Sequence, residues 1–361
     1  MGCDGCELWP TINQLASAIA RRMSEESGSK EDKEQEQRKQ IRELLERMDL
    51  PSDVYHARHG IAASAVAASL PLAVKRGERR LLEKLVVETI AAQFKCYAGM
   101  LHLWRGVNDT KPQKKVNSGY APKFERMRRY PGRMREAVRW SDLGRTHNRP
   151  DKPWLDGLPR LIFISDMADL LSAGVDFAFI RDEVIENVRS ETGKRHLWLW
   201  LTKRPGRMAT FCDWLREEEG IEWPDNLVAM TSVTSRRTTG RADQLRRVKC
   251  RLRGLSVEPL WEKVTLNLEG IDWVIVGGES ALRRSDTAAF DVQWAREIRG
   301  QCRQTGAAFF LKQLGGNPTE GGKPLALEDR HGGNWSEWPQ EDLRIRELPV
   351  GFGREVAGTR L

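Results

Sequence analysis

Two cysteines separated by two residues, Cys3 and Cys6, can turn both thiolates toward one metal ion. A third, Cys96, stands 90 positions beyond Cys6 in Lys95-Cys96-Tyr97-Ala98-Gly99. Three thiolates leave one position open on a cuboidal iron-sulfur cluster, where an iron could bind a small molecule. Structural zinc with His102 as fourth ligand, or no metal at all, fits the same spacing. The six histidines (56, 59, 102, 147, 196, 331) form no ligand pattern, and His196, at the start of an apolar run, reads as structural. Cys212, Cys250 and Cys302 read as buried small hydrophobes. A serine nucleophile elbow and an H-E-x-x-H zinc helix are both absent from the sequence.

A second set of candidate groups comes directly after short apolar runs: Leu161 to Ile164, His196 to Leu201, Leu227 to Val233, Leu252 to Val257, Ile271 to Val276 and Ala307 to Leu311. These runs lead into Ser165-Asp166-Met167-Ala168-Asp169, Thr202-Lys203-Arg204-Pro205, Thr231-Ser232, Ser256-Val257-Glu258-Pro259-Leu260, Gly277-Gly278-Glu279-Ser280 and Lys312-Gln313. In parallel α/β folds the carboxyl ends of the strands build the ligand site, so six polar endings predict one rim. Asp169, Lys203, Ser232, Glu258, Gly277, Gly278 and Glu279 are its expected cofactor and substrate residues, with Lys312 and Gln313 as substrate contacts at the far edge. Each has an ordinary alternative when taken singly: a helix cap for Asp169, a surface charge for Lys203, a tight turn for the glycines. Two residues without Cβ let backbone approach a ligand, and the following carboxylate can accept from an ammonium or a ribose hydroxyl. Neither a Walker lysine nor a dinucleotide G-x-G-x-x-G comes after a strand, so the step is not a phosphate loop.

The elements that must carry these residues alternate in kind. Each run is Leu-rich, β-branched or aromatic throughout, as for parallel strands buried on both faces. The intervals hold amphipathic helices such as Phe177 to Arg189 and Val292 to Thr305. Six βα repeats in about 155 residues are too few for a closed eight-stranded barrel of roughly 250. The expectation is an α/β fold, a partial (β/α)6 TIM-like barrel over 160–316 with an N-terminal helical insertion. Ahead of it stand the Cys pair (1–10), the helical insertion ending in the third Cys (11–105) and a basic connecting segment (106–159). A loop-rich tail, 317–361, completes the chain.

The 361 residues carry 59 Lys plus Arg against 51 Asp plus Glu, a net charge of +8. Lys111 to Trp140 holds ten positive and two negative residues, so this one segment matches the whole excess. Such a segment binds phosphates irrespective of base sequence, with Tyr130, Trp140 and Trp154 near enough to stack bases; a solvated linker helix is the plainer alternative. The charged helix Glu25 to Asp49 is solvated surface or serves a protein partner. The longest apolar stretch, Gly60 to Val74, is broken by Pro71 and shorter than the roughly 20 residues of a membrane span. Cysteines too sparse for a disulfide scaffold, and no basic-then-apolar leader, predict a reducing cytoplasm.

From Cys96 to about Trp338 the sequence resembles the phage-associated three-cysteine-motif family, radical-SAM-like proteins of unassigned function. The resemblance rests on CYAG (96–99), RLIFISDMADL (160–170), LTKRPGRM (201–208), SVEPL (256–260), DWVIVGGES (272–280) and FFLKQLGG (309–316). It implies a partial barrel whose three cysteines, here Cys3, Cys6 and Cys96, hold a [4Fe-4S] cluster with S-adenosylmethionine on the open iron. A 5′-deoxyadenosyl radical would then abstract hydrogen from the substrate. In the family the three cysteines share a short loop ending in CYAE. In this chain a helical insertion splits them, Gly99 replaces the Glu, Ser165-Asp166-Met167-Ala168-Asp169 replaces Asn-Ser-Met-Ser-Asp, and Thr234 replaces an acidic residue after the third strand. A helical hairpin can return the chain to its starting point and so rejoin the trio. Two functions are therefore expected to compete: a radical SAM iron-sulfur enzyme acting on a nucleic acid or nucleotide, and a non-enzymatic, zinc-stabilised nucleic-acid-binding or phage-defence partner protein.

Overall fold

The computed structural model describes residues 129–352, apart from 151, 166–167, 173, 281–286 and 339–340. The chain divides into two compact units, Met1–Tyr130 with Ser172–Gly174 and Pro131–Leu171 with Val175–Leu361; the architecture described is that of the second. Cys3, Cys6, Cys96, His102 and the basic residues from Lys111 to Arg128 lie outside the described residues.

All six apolar runs form strands of one parallel sheet, paired in chain order. They are β1 (Leu161–Ile164), β2 (Leu197–Thr202), β3 (Leu227–Ser232), β4 (Arg253–Val257), β5 (Trp273–Gly277) and, after the two-residue β6 (Phe290–Asp291), β7 (Ala308–Gln313). The sheet curls into a half-barrel, the expected partial barrel. Its outer face is set by aromatic packing. Trp198 and Trp200 of β2 are fully buried, and Trp200 stacks on Trp223 at 5.6 Å and meets Phe211 edge-on at 5.8 Å. Phe211 belongs to α4 (Pro205–Glu217), which comes after β2 and opens with Pro205 at the position where a missing N–H costs nothing. Truncating either tryptophan to Ala would cost about 3–5 kcal/mol.

The other helices match the sequence signals closely, with one departure. Val292–Thr305 (α6) starts on Asp291, whose carboxylate accepts from Gln293 N–H, and stops at Gly306 in the left-handed conformation. The single helix expected over Phe177 to Arg189 is instead α2 (Phe177–Ile180), a π-helical turn (Arg181–Ile185) and α3 (Glu186–Val188). The Asn187 amide donates to the carbonyls of Asp182 and Glu183 at 3.2 and 2.8 Å, satisfying backbone acceptors at the wider turn. The Glu183 carboxylate accepts from Gly132 and Met134 N–H at 2.8 and 2.9 Å. It thereby supplies the cap that the short α1 (Arg133–Ala137) lacks in its own sequence.

Among the described residues, the inner face, turned away from the helices, carries no second layer of secondary structure. Its core is Leu197, Leu199, Val228, Met230, Leu252, Trp273 and Ile275, and Phe352 from the tail fills it with Leu348 packed alongside. The Phe352 and Trp273 rings meet at 5.0 Å. The tail also finishes the exposed edge of β7, since Leu311 N–H donates to Ile345 and Glu347 N–H to Phe309, each at 2.9 Å. Between these two bonds Arg346 turns its guanidinium onto Trp154 (3.9 Å) and Trp335 (4.5 Å) and donates to the carbonyls of Leu311, Lys312 and Gly333. Burial pushes its pKa down to about 10. Trp154, half-buried, thus has Arg346 and Trp335 against its ring. Pro318–Glu320 (β8) pairs with β6 and with Lys323–Pro324 (β9) in a small separate sheet.

Among the described residues no helix is long and apolar enough to cross a membrane. His196 is a packing residue: it is buried, its Nε2–H donates to the Val138 carbonyl at 3.4 Å, and its ring lies 5.8 Å from Trp198. Burial holds its pKa below the ordinary value of 6.5, so the folded state binds fewer protons there than the unfolded chain. Its contribution to stability is complete above about pH 6.5 and is lost as pH falls through the folded value. Urea unfolding at pH 7.5 and 5.5 should show a smaller loss of stability on acidification in His196→Gln than in the wild type; equal losses would refute the assignment.

Candidate functional site

Strand alternation sorts the rim residues onto the two faces. Because Met230, Trp273 and Ile275 face inward, so do Ser232, Ser256, Glu258 and Gly277, each at an even spacing from an inward residue of its own strand or level with one on the next. The same parity turns Lys312 inward beyond Phe310, while Lys203 sits in the bend directly after β2. The pairing register arranges these positions in rows. An apolar row, Leu201, Met230, Gly254, Trp273 and Ala308, lies beneath Ser232, Ser256, Ile275 and Phe310. Above them sit Glu258, Gly277 and Lys312. The inner wall thus passes from hydrocarbon at its base to hydroxyl, ammonium and carboxylate at its carboxyl end.

Glu258 and Lys312 form the clearest polar contact in the upper row. Lys312 Nζ donates to both Glu258 oxygens, at 2.9 and 3.0 Å, and the Glu258 side chain is only 16% exposed. A Cβ on Gly277 would stand 3.2 Å from the Glu258 side chain and 3.3 Å from that of Gln313, so the glycine leaves the space these side chains use. Glu258 precedes a cis peptide bond to Pro259. Leu260 N–H donates to the Gly277 carbonyl at 2.9 Å, and this bond ties the loop after β4 to the end of β5.

Asp169 bridges two loops of the rim. Its carboxylate, 10% exposed, accepts from Thr202 Oγ1 with both oxygens at 2.9 Å and from the backbone N–H groups of Leu171 (3.0 Å) and Lys203 (3.1 Å). It also pairs with Arg204 at 3.3 Å. One carboxylate thus fastens the loop after β1 to the loop after β2. Ser165 lies at the end of β1 with φ of 66°, the one non-glycine residue in the left-handed region among those described. Strain of this kind, about 1–3 kcal/mol, concentrates at functional rims.

Gly278 and Glu279 are occupied by the β7 side of the rim. A Cβ on Gly278 would fall 2.2 Å from the Leu314 carbonyl oxygen, so close backbone packing requires the glycine whether or not a ligand comes near. Gln313 Nε2 donates to the Gly278 carbonyl at 3.1 Å, Gly316 N–H donates to the Glu279 carbonyl at 2.8 Å, and the Glu279 carboxylate accepts from Ala288 N–H at 2.9 Å. The structure accordingly brings Ser232, Glu258, Gly277 and Lys312 onto one surface, with Lys203 in the bend beside it. Asp169, Gly278, Glu279 and Gln313 hold the loops around it. Ser256 belongs to that surface as well. Its signal was available in the sequence, since it stands two residues before Glu258 and so shares its face.

The three described thiols are free. Cys212 and Cys302 are buried, and burial pushes the thiols of Cys250 and Cys302 up to about 12, which keeps them protonated at neutral pH. No group of three or more His, Cys, Asp or Glu side chains that could hold a metal occurs among the described residues. Of the basic segment, Arg133, Arg135, Arg139 and Trp140 are exposed around α1, whose Met134 and Ala137 are buried.

Fold and rim together define an α/β half-barrel protein with a polar wall at the carboxyl ends of its parallel strands. More particularly, the chain belongs to a family described as protein of unknown function (DUF5131), whose model matches residues 89–347. The match takes in Cys96 and every rim residue but not Cys3 or Cys6. No curated protein and no solved structure matches the chain.

The two glycines should separate by mutation. Gly278→Ala forces a backbone clash and should cost at least about 3 kcal/mol or prevent folding, whereas Gly277→Ala meets only movable side-chain atoms and should cost about 1 kcal/mol. Urea midpoints measure both, and equal losses would remove the distinction.

Proposed function

We propose that this protein is a radical-SAM-like iron-sulfur enzyme that acts on a nucleic acid or nucleotide. The observation that carries the reading is the graded inner wall, where polar side chains from the parallel strands converge at their carboxyl ends over an apolar base. The resemblance of the strand-end motifs to the three-cysteine-motif family supplies the cofactor class. The donor set in the chain fits it: with Cys212, Cys250 and Cys302 set aside as packing thiols, Cys3, Cys6 and Cys96 remain to hold a [4Fe-4S] cluster. Such a cluster, with S-adenosylmethionine at its open iron, supplies one-electron, hydrogen-abstracting chemistry.

What the chain itself contributes is placement. Lys203, Ser232 and Glu258 bind the polar groups of the cofactor, Gly277 leaves room beside Glu258, and Asp169 and Glu279 keep the surrounding loops in register. The apolar row Leu201, Met230, Trp273 and Ala308 excludes water from beneath the bound molecule, which protects a reactive species from quenching. Lys312 contacts the substrate at the β7 edge. Exposed Arg133, Arg135, Arg139 and Trp140, with the lysines and arginines that precede them, attract nucleic acid through phosphate charge.

Anaerobic reconstitution with iron and sulfide should give the broad visible absorption of a [4Fe-4S] cluster, and Cys3→Ala, Cys6→Ala and Cys96→Ala combined should abolish it. One zinc and no iron in anaerobically purified protein would overturn the enzyme reading in favour of a zinc-held nucleic-acid-binding protein. A visible band that survives the triple substitution would refute the ligand assignment.

A further inference from the structure

Ser232 and Ser256 face each other directly across β3 and β4 on the inner wall. Both are almost fully buried, at 4% and 7% exposure. Their backbone carbonyls are used, Ser232 accepting from Arg241 Nη1 at 3.0 Å and Ser256 from Val233 N–H at 2.9 Å. Neither hydroxyl, however, has a hydrogen-bond partner among the described residues. The hydroxyl oxygens themselves are not sealed from solvent, so two side by side at a strand end present a pair of free donors on the inner wall. Alanine or valine would pack this wall as well if packing were the only requirement.

We infer that the Ser232–Ser256 pair is an oxyanion subsite that binds a carboxylate or a phosphate group of a small-molecule ligand. Two hydroxyls on adjacent parallel strands are about 4.8 Å apart along the sheet, a span that two oxygens of one such group can bridge. The fixed charge around them is positive. Arg241 anchors on the Ser232 carbonyl, and Lys203 comes directly after the end of β2. Glu258, two residues further along β4, is neutralised by Lys312 through both of its oxygens. A neutral sugar would gain nothing from Arg241 and Lys203, so an anion is the better match. The subsite is set by the described strands alone and does not depend on an iron-sulfur cluster elsewhere in the chain.

The test is thermal unfolding of the full-length protein, purified without reconstitution, against inorganic phosphate, acetate and D-ribose at constant ionic strength. A ligand that binds only the folded state raises Tm increasingly with its occupancy. Phosphate or acetate should raise Tm, and whichever acts more strongly identifies the group. Ser232→Ala with Ser256→Ala should lose most of that rise while the unliganded Tm stays the same or increases, because the removed hydroxyls had no partner. Ser256→Ala alone provides the same comparison if the double variant folds poorly. An equal rise in variant and wild type, a rise with ribose only, or no rise with either anion would overturn the subsite. Absence of a visible cluster would overturn the iron-sulfur proposal and leave this result unaffected.

Discussion

A parallel sheet whose described helices lie on one side only must fill its other face by other means, and this constraint organises the described unit. A closed barrel fills its interior with side chains from opposite strands. The half-barrel cannot, and it closes its lower interior with Leu348 and Phe352 from the tail. The tail is held in turn by two backbone bonds to β7 and by Arg346 packed among Trp154, Trp335 and Trp338. At its upper end the wall changes character, and Ser232, Ser256, Glu258 and Lys312 occupy positions that would otherwise be apolar. Phe163 of β1, 44% exposed, shows that the wall is not sealed at the first strand.

The same constraint explains the economy of the rim. Open strand ends tend to splay, and each loop is fastened to its neighbour by a different device: Asp169 between the first two, Thr231 Oγ1 to the Thr202 carbonyl between β2 and β3, Leu260 N–H to Gly277 between β4 and β5, and Gly278 against Leu314 between β5 and β7. These contacts put polar residues to structural use and leave the inward positions facing the interior of the half-barrel. A polar residue at a strand end is therefore not by itself a ligand contact; its parity along the strand decides.

Parity also marks how far the sequence could be read. The six strands were legible because residues buried on both faces give uninterrupted apolar runs, and α6 because Asp291 and Gly306 bracket it. Lys203, Ser232, Glu258, Gly277 and Lys312 were legible as rim residues because each stands at or just past the end of an apolar run. Ser256 could have been added by counting two back from Glu258. The role of Gly278 was not legible, because the Leu314 carbonyl that excludes a Cβ belongs to a residue 36 positions later. Nor was the π-helical turn at Arg181–Ile185 or the left-handed Ser165, since both depend on tertiary partners that no local pattern encodes.

The graded wall, on this reading, serves a cofactor bound at a three-cysteine cluster. Electron paramagnetic resonance of the reconstituted and reduced protein, recorded with and without S-adenosylmethionine, tests that claim most directly. The predicted result is a [4Fe-4S] signal whose shape changes when S-adenosylmethionine is added. A cluster signal that S-adenosylmethionine leaves unaltered, or no signal in fully reconstituted protein, would contradict it.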